Sequence, residues 1–227
     1  MKKSIIILIA VLAFISCNST SARQSDPARE RFTVDLNSAQ IPIGEIEAQF
    51  LRSFVGLRRD TINVIYFPQE DAVCLQYQGE LSTTYRQFWS WEGRSAFIRA
   101  LEQYKQDFDA RTISSNNSRT RAVYGSTEGF LTWQSFSFSV RASSNIDLEM
   151  GYQFRDRMPY FTVSQREGNF IDVNAESRNR TSPVINMYFT RAQADELAAF
   201  FDPVFLRELT MPESVPRNIN EVDVDRY

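Results

Sequence analysis

Ile146-Asp147-Leu148-Glu149-Met150-Gly151-Tyr152-Gln153-Phe154-Arg155 alternates apolar residues with polar or small ones, without a break. Successive side chains of a β-strand point to opposite faces, so this stretch reads as a strand with one buried and one wet face. Strands of that kind build antiparallel sheets, in which one face packs on the core and the other meets water. The neighbouring sequence continues the theme. Phe136, Phe138 and Val140 alternate with serines before it, and residues 160–165 and 170–174 follow as strands joined through Glu167-Gly168-Asn169, a hairpin signal. Residues 184–189 read as one more strand. Thr190-Arg191-Ala192-Gln193 then has the form of a capping box, opening a helix that runs through Leu197, Phe200 and Phe201 and breaks at Asp202-Pro203.

The first half reads differently. Residues 32–36 alternate and suggest a short strand. Ile43, Ile46, Phe50, Phe54 and Leu57 recur at helical intervals, predicting an amphipathic helix over residues 43–57. Residues 63–67 and 72–77 are β-rich and separated by the turn composition Pro68-Gln69-Glu70-Asp71, and residues 83–91 add an aromatic strand. From Glu92 to about Arg111, Phe97, Leu101, Tyr104 and Phe108 form one apolar stripe of a second helix. The expectation is an α+β fold: a single domain over residues 32–209, with a predominantly antiparallel hairpin or meander sheet and about three packed helices. Residues 210–227 read as a flexible acidic tail. Each half runs strands and then a helix, hinting at a duplicated β-β-β-α unit, although no matching residues support it.

The chain opens with Lys2 and Lys3, then an apolar run from Ile5 to Ile15 that is too short to span a bilayer, which takes roughly 20 residues. The residues Phe14-Ile15-Ser16-Cys17 resemble the lipobox of bacterial lipoprotein precursors, with Phe14 standing where leucine is usual. That resemblance implies a signal peptide over residues 1–16 and diacylglycerol attached at Cys17; the polar, aperiodic composition that follows reads as a flexible tether, over residues 17–31. The resemblance places the protein at a bacterial cell envelope membrane, on the outer membrane or its periplasmic face. The alternative is ordinary secretory cleavage after Ala22, which would discard Cys17 and free the domain.

Composition narrows the chemistry. The chain has no histidine, which removes Ser-His and Cys-His nucleophiles and histidine-ligated zinc. With Cys17 acylated, the second of its 2 cysteines, Cys74, has no partner for a disulfide; its apolar neighbours predict a buried, inert thiol. The formal net charge is −3, and loss of Lys2 and Lys3 makes the processed chain more acidic still, against nonspecific nucleic-acid binding. Carboxylate pairs such as Glu70-Asp71 and Glu45 with Glu47 fit solvated surface. No phosphate loop, calcium loop, zinc motif or dinucleotide fingerprint occurs, and no cofactor is implied.

Two sets of residues suggest a ligand. Arg119, Arg121, Arg141, Arg155, Arg157, Arg166, Arg178 and Arg180 fall in the second half, and arginine's planar fork suits carboxylate or phosphate. A chain almost without lysine also uses arginine for plain solubility. Trp89 and Trp91 could stack on sugars or peptides, or simply fill the core. The candidate ligand-binding residues are therefore Trp89, Trp91, Arg141, Arg155, Arg157 and Arg166, with no catalytic set. The expected partners are the membrane, through the N-terminal lipid, and an anionic glycan, a lipid or an envelope protein. The function this supports is a non-catalytic, lipid-anchored envelope binding module. The alternatives are an envelope enzyme using carboxylate chemistry and a structural subunit of an envelope complex.

Overall fold

A computed structural model describes residues 32–52, 56–113, 120–134, 142–168 and 181–211. Eight antiparallel strands follow one another around a closed barrel: β1 (Ile41–Arg52), β2 (Gly56–Phe67), β3 (Ala72–Gln78), β4 (Thr84–Trp89), β5 (Arg121–Gln134), β6 (Ala142–Arg155), β7 (Met158–Gln165) and β8 (Ile185–Phe189). Helix α1 (Trp91–Asp109) connects β4 to β5. Helix α2 (Arg191–Phe200) and the short α3 (Pro203–Glu208) follow β8. The ring closes where β8 pairs with β1, Tyr188 opposite Gln49 and Met187 opposite Phe50.

This architecture overturns the expected α+β fold with about three packed helices. The expected helix over residues 43–57 is instead β1 and the start of β2. Ile46, Ala48 and Phe50 alternate inward and are buried, while Glu45, Glu47 and Gln49 alternate outward. The same apolar residues satisfy both periods over this short window. Pairing with β2 on one side and β8 on the other decides for the strand. Residues 32–36 are an irregular strap rather than a strand.

Every strand sends one set of side chains into a single core, among them Ile46, Ile62, Leu75, Trp89, Leu131, Leu148, Val163 and Met187. Side chains fill the lumen. Phe50, Tyr77 and Tyr85 lie ring to ring across it, with centroids 5.0 and 5.6 Å apart. Trp89 Nε1 donates to Gln87 Oε1 at 3.0 Å, Gln87 Nε2 donates to Gln165 Oε1 at 2.9 Å, and Gln165 Nε2 donates to the Pro183 carbonyl at 2.7 Å. The buried amides thus find partners across the barrel. The helices pack against the end of the barrel where β4 and β8 finish, and Phe97 sits edge-on to Trp89, Phe161 and Phe201. An apolar lumen inside an outer wall bearing Glu47, Arg59 and Glu128 is the reverse of a lipid-facing barrel. No helix among the described residues is long and apolar enough to cross a membrane.

The two halves repeat each other. β1 to β4 have 12, 12, 7 and 6 residues and lead into α1; β5 to β8 have 14, 14, 8 and 5 and lead into α2. The first strand of each half carries a bulge near its start, at Pro42/Gly44 and Val123/Gly125. The second hairpin of each half turns through an aspartate with positive φ, Asp71 and Asp156. Each helix starts on a hydroxyl N-cap directly after a buried aromatic: Ser90 after Trp89, and Thr190 after Phe189, the latter with the capping box complete. The repeating unit is therefore β-β-β-β-α.

Candidate functional site

Register matches the outer walls of the two halves residue by residue. In the first, Ile65 pairs with Cys74, Cys74 with Phe88, and Phe88 with Phe130. In the second, Gly151 pairs with Thr162, Thr162 with Tyr188, and Tyr188 with Gln49. The first wall is apolar and covered: Phe32, Val34 and Leu36 of the strap pack on Phe67, Ala72, Cys74, Phe88 and Phe130. Under that strap Cys74 is a buried free thiol, and burial pushes its pKa up, keeping it protonated and inert.

The second wall holds polar residues and a cavity of about 190 Å³. Outward positions of β6 (Glu149, Gln153, Arg155), β7 (Thr162, Ser164) and β8 (Asn186, Tyr188) line it, with Leu51, Arg121 and Val123 at its margins. It lies outside the barrel, unlike the lumenal pockets of many small barrels. The polar groups are not simply solvated, since Tyr188 is only 1% exposed and Thr162 only 7%.

Arg155 is the centre of this wall. Its Nη2 donates to the Tyr188 hydroxyl at 3.1 Å, and that hydroxyl donates to Gln153 Oε1 at 3.0 Å. The guanidinium carbon lies 5.5 Å from the centroid of the Tyr188 ring, within cation–π range. Tyr160 meets Tyr188 edge-on at 6.2 Å and accepts a hydrogen bond from Gln49 Nε2 at 3.3 Å. Of the five N–H donors of Arg155, one goes to Tyr188, and Nε is buried without a hydrogen-bond partner. Arg155 makes no ion pair among the described residues, whereas the cavity's carboxylate, Glu149, is paired with Arg166 at 2.5 Å.

The structure separates the residues singled out from sequence. Trp89 is fully buried in the lumen, and Trp91, the first residue of α1, is 53% exposed at the far side of the helix cap. Arg157 is exposed in the β6–β7 turn, Arg166 meets the cavity only through Glu149, and Arg155 lines it directly. Arg141 and Cys17 lie outside the described residues. Gln153, Thr162, Ser164, Asn186 and Tyr188 are not among the candidate ligand residues drawn from sequence, although the alternation of residues 146–155 already sets Gln153 on the wet face. The period-two pattern of residues 160–165 could have placed Thr162 and Ser164 there too. Among the carboxylates, Asp71 accepts from Arg94 Nη2 at 2.7 Å and Glu47 pairs with Arg59 at 3.4 Å, so both serve the surface of the fold.

Over 155 residues the chain is 25% identical to an uncharacterised protein of Treponema pallidum (strain Nichols), a match covering 67% of this chain and 52% of that protein. The chain thus spans about half the length of the curated relative it matches. No solved structure matches. Residues 40–208, from the start of β1 to the end of α3, match the model of a family described as uncharacterised Treponema protein, and the chain belongs to that family.

Proposed function

We propose that this protein is a non-catalytic binding module of a bacterial envelope, tethered to the membrane by a lipid on Cys17, and that the polar cavity on the second wall is its recognition surface. The observation carrying the recognition half is Arg155, a guanidinium that lines a hydrogen-bonding cavity with one of its donors held by the Tyr188 hydroxyl. The anchoring half rests on the Phe14-Ile15-Ser16-Cys17 resemblance, and two or more acyl chains suffice for stable attachment.

Each half has its own test. Mass measurement of the mature N-terminus should find acylated Cys17, and Cys17→Ser should release the protein from membranes; an unmodified chain starting at Arg23 would refute the anchor. For recognition, saturation-transfer NMR against a panel of neutral sugars, sugar acids, amino acids and short peptides should give at least one signal that Thr162→Trp, which fills the cavity, abolishes. Silence across the panel would refute the recognition surface.

A further inference from the structure

The cavity's chemistry narrows what it takes, resting on the reading of the second wall as a recognition surface. Its volume of about 190 Å³ is small beside ordinary ligand pockets and suits one small polar group. The wall carries one charged donor group at its centre and neutral hydroxyls and amides beside it. Arg155 gives one Nη2 hydrogen to Tyr188 and keeps the rest of its Nη fork, Gln153 uses its carbonyl oxygen on Tyr188 and keeps its NH2, and Thr162, Ser164 and Asn186 add hydroxyls and an amide. Charge points the same way. Arg155 lacks a carboxylate partner among the described residues, while Glu149 is already neutralised by Arg166.

We propose that the second wall binds a small organic carboxylate, whose two oxygens take the Arg155 guanidinium while hydroxyl or amide groups beside it meet Gln153, Thr162 and Ser164. A carboxylate matches the planar fork in two parallel hydrogen bonds. The carboxylate's charge balances Arg155, with Arg121, also without an ion pair among the described residues, at the cavity's margin. A phosphate dianion would bring a second negative charge beside Glu149. The Tyr188–Gln153 chain works as a positioning device: it ties down one nitrogen of Arg155 and leaves the rest of the fork to the ligand.

The test is calorimetric titration of the processed chain with D-glucuronate and N-acetyl-L-alanine as probes, against methyl glucoside and N-acetyl-L-alanine methylamide as neutral counterparts, and inorganic phosphate. The two carboxylates separate a sugar acid from a peptide-type acid as the source. At least one should bind, and Arg155→Gln should weaken it about 10- to 100-fold, the scale of a lost charge-assisted pair. Arg157→Gln, at the exposed turn two residues on, should bind as the parent does. Tyr188→Phe keeps the guanidinium but frees it, and should weaken binding by a smaller factor. Thermal melts of each variant establish that it is folded. Equal binding of the neutral counterparts, or unchanged affinity in folded Arg155→Gln, would overturn the carboxylate while leaving the cavity a binding site. Binding of phosphate with neither carboxylate would do the same. Failure of every probe to bind at tens of millimolar overturns the proposal outright.

Discussion

The two outer walls of this barrel occupy equivalent places in a repeated fold and have opposite characters. Phe88 and Tyr188 each stand one residue before the buried aromatic that leads into a helix, and each pairs with the third strand of its own half. Around Phe88 the wall is aromatic and aliphatic and lies under the chain's own strap. Around Tyr188 it is hydroxylic, cationic and hollowed. The same scaffold thus carries a wall of either character. Its hydrogen-bonded chain from Arg155 to Gln153 is an addition to the fold.

The largest expected effect comes from breaking the covered wall. Val34→Asp would force a charge beneath the strap or peel it off, losing about 3 kcal/mol of burial shared by Phe32, Val34 and Leu36. Urea unfolding measures it, and the exposed Phe67–Phe88–Phe130 surface should make the variant prone to association. Ser164→Asn on the open wall should stay within about 0.5 kcal/mol of the parent.

A second contrast lies where the helices begin. Arg94, 2% exposed in the first turn of α1, donates to the Asp71 carboxylate and to the carbonyls of Asp71 and Trp89, fastening the helix to the β2–β3 turn. The equivalent position in α2 is the buried Ala194. Arg94→Met should cost about 2 kcal/mol, since Asp71 remains half exposed and is not left as a buried unpaired charge.

The exchange of Phe88 and Tyr188 sharpens the comparison directly. Phe88→Tyr places a hydroxyl under the strap without a partner and should cost about 1–2 kcal/mol. Tyr188→Phe deletes a hydroxyl bonded on both sides and should cost about 1 kcal/mol, with its larger consequence in ligand binding. Equal costs would mean that the two walls are energetically alike.

Much of this was legible where the pattern was local. Residues 146–155 announce β6 by strict alternation, Phe97, Leu101 and Tyr104 announce α1, and Thr190 with Gln193 announces α2. β1 was not legible, because Ile46 and Phe50 fit a helix as well as a strand, and the contacts that decide between them come from Met187 and Tyr188, far along the chain. Closure of the barrel has the same origin. The repeat was hidden because equivalent positions share only size and polarity class, as with Phe97 and Leu197 or Leu101 and Phe201, and because the intervening loops differ in length. Of the site, arginine chemistry pointed to Arg155. Its partner Tyr188 sits between Met187 and Phe189 in an apolar-looking run whose outward member only the β7 and β1 pairings reveal.

The smallest effect concerns the α1 seam. Tyr104 donates to the Pro159 carbonyl at 2.8 Å and Tyr124 to Asp107 at 2.8 Å. Burial pushes the Tyr104 phenol up to about 12, and burial followed by the Asp107 hydrogen bond and charge raises Tyr124. Both are neutral in the folded protein, whereas an unfolded tyrosine ionises near pH 10. Their contribution is complete below pH 10 and is lost as pH rises from there through about 12. Alkaline melts should show that decline, reduced in Tyr104→Phe, while α2, held by Ala194 and Leu197, has no such seam.

The most direct measurement of the difference between the walls is an amide NMR titration of the processed chain with D-glucuronate and N-acetyl-L-alanine. Shifts confined to Gln153, Arg155, Thr162 and Tyr188, with Phe67, Cys74 and Phe88 unmoved, are the predicted result. Shifts centred on the strapped wall or scattered over the barrel would contradict it.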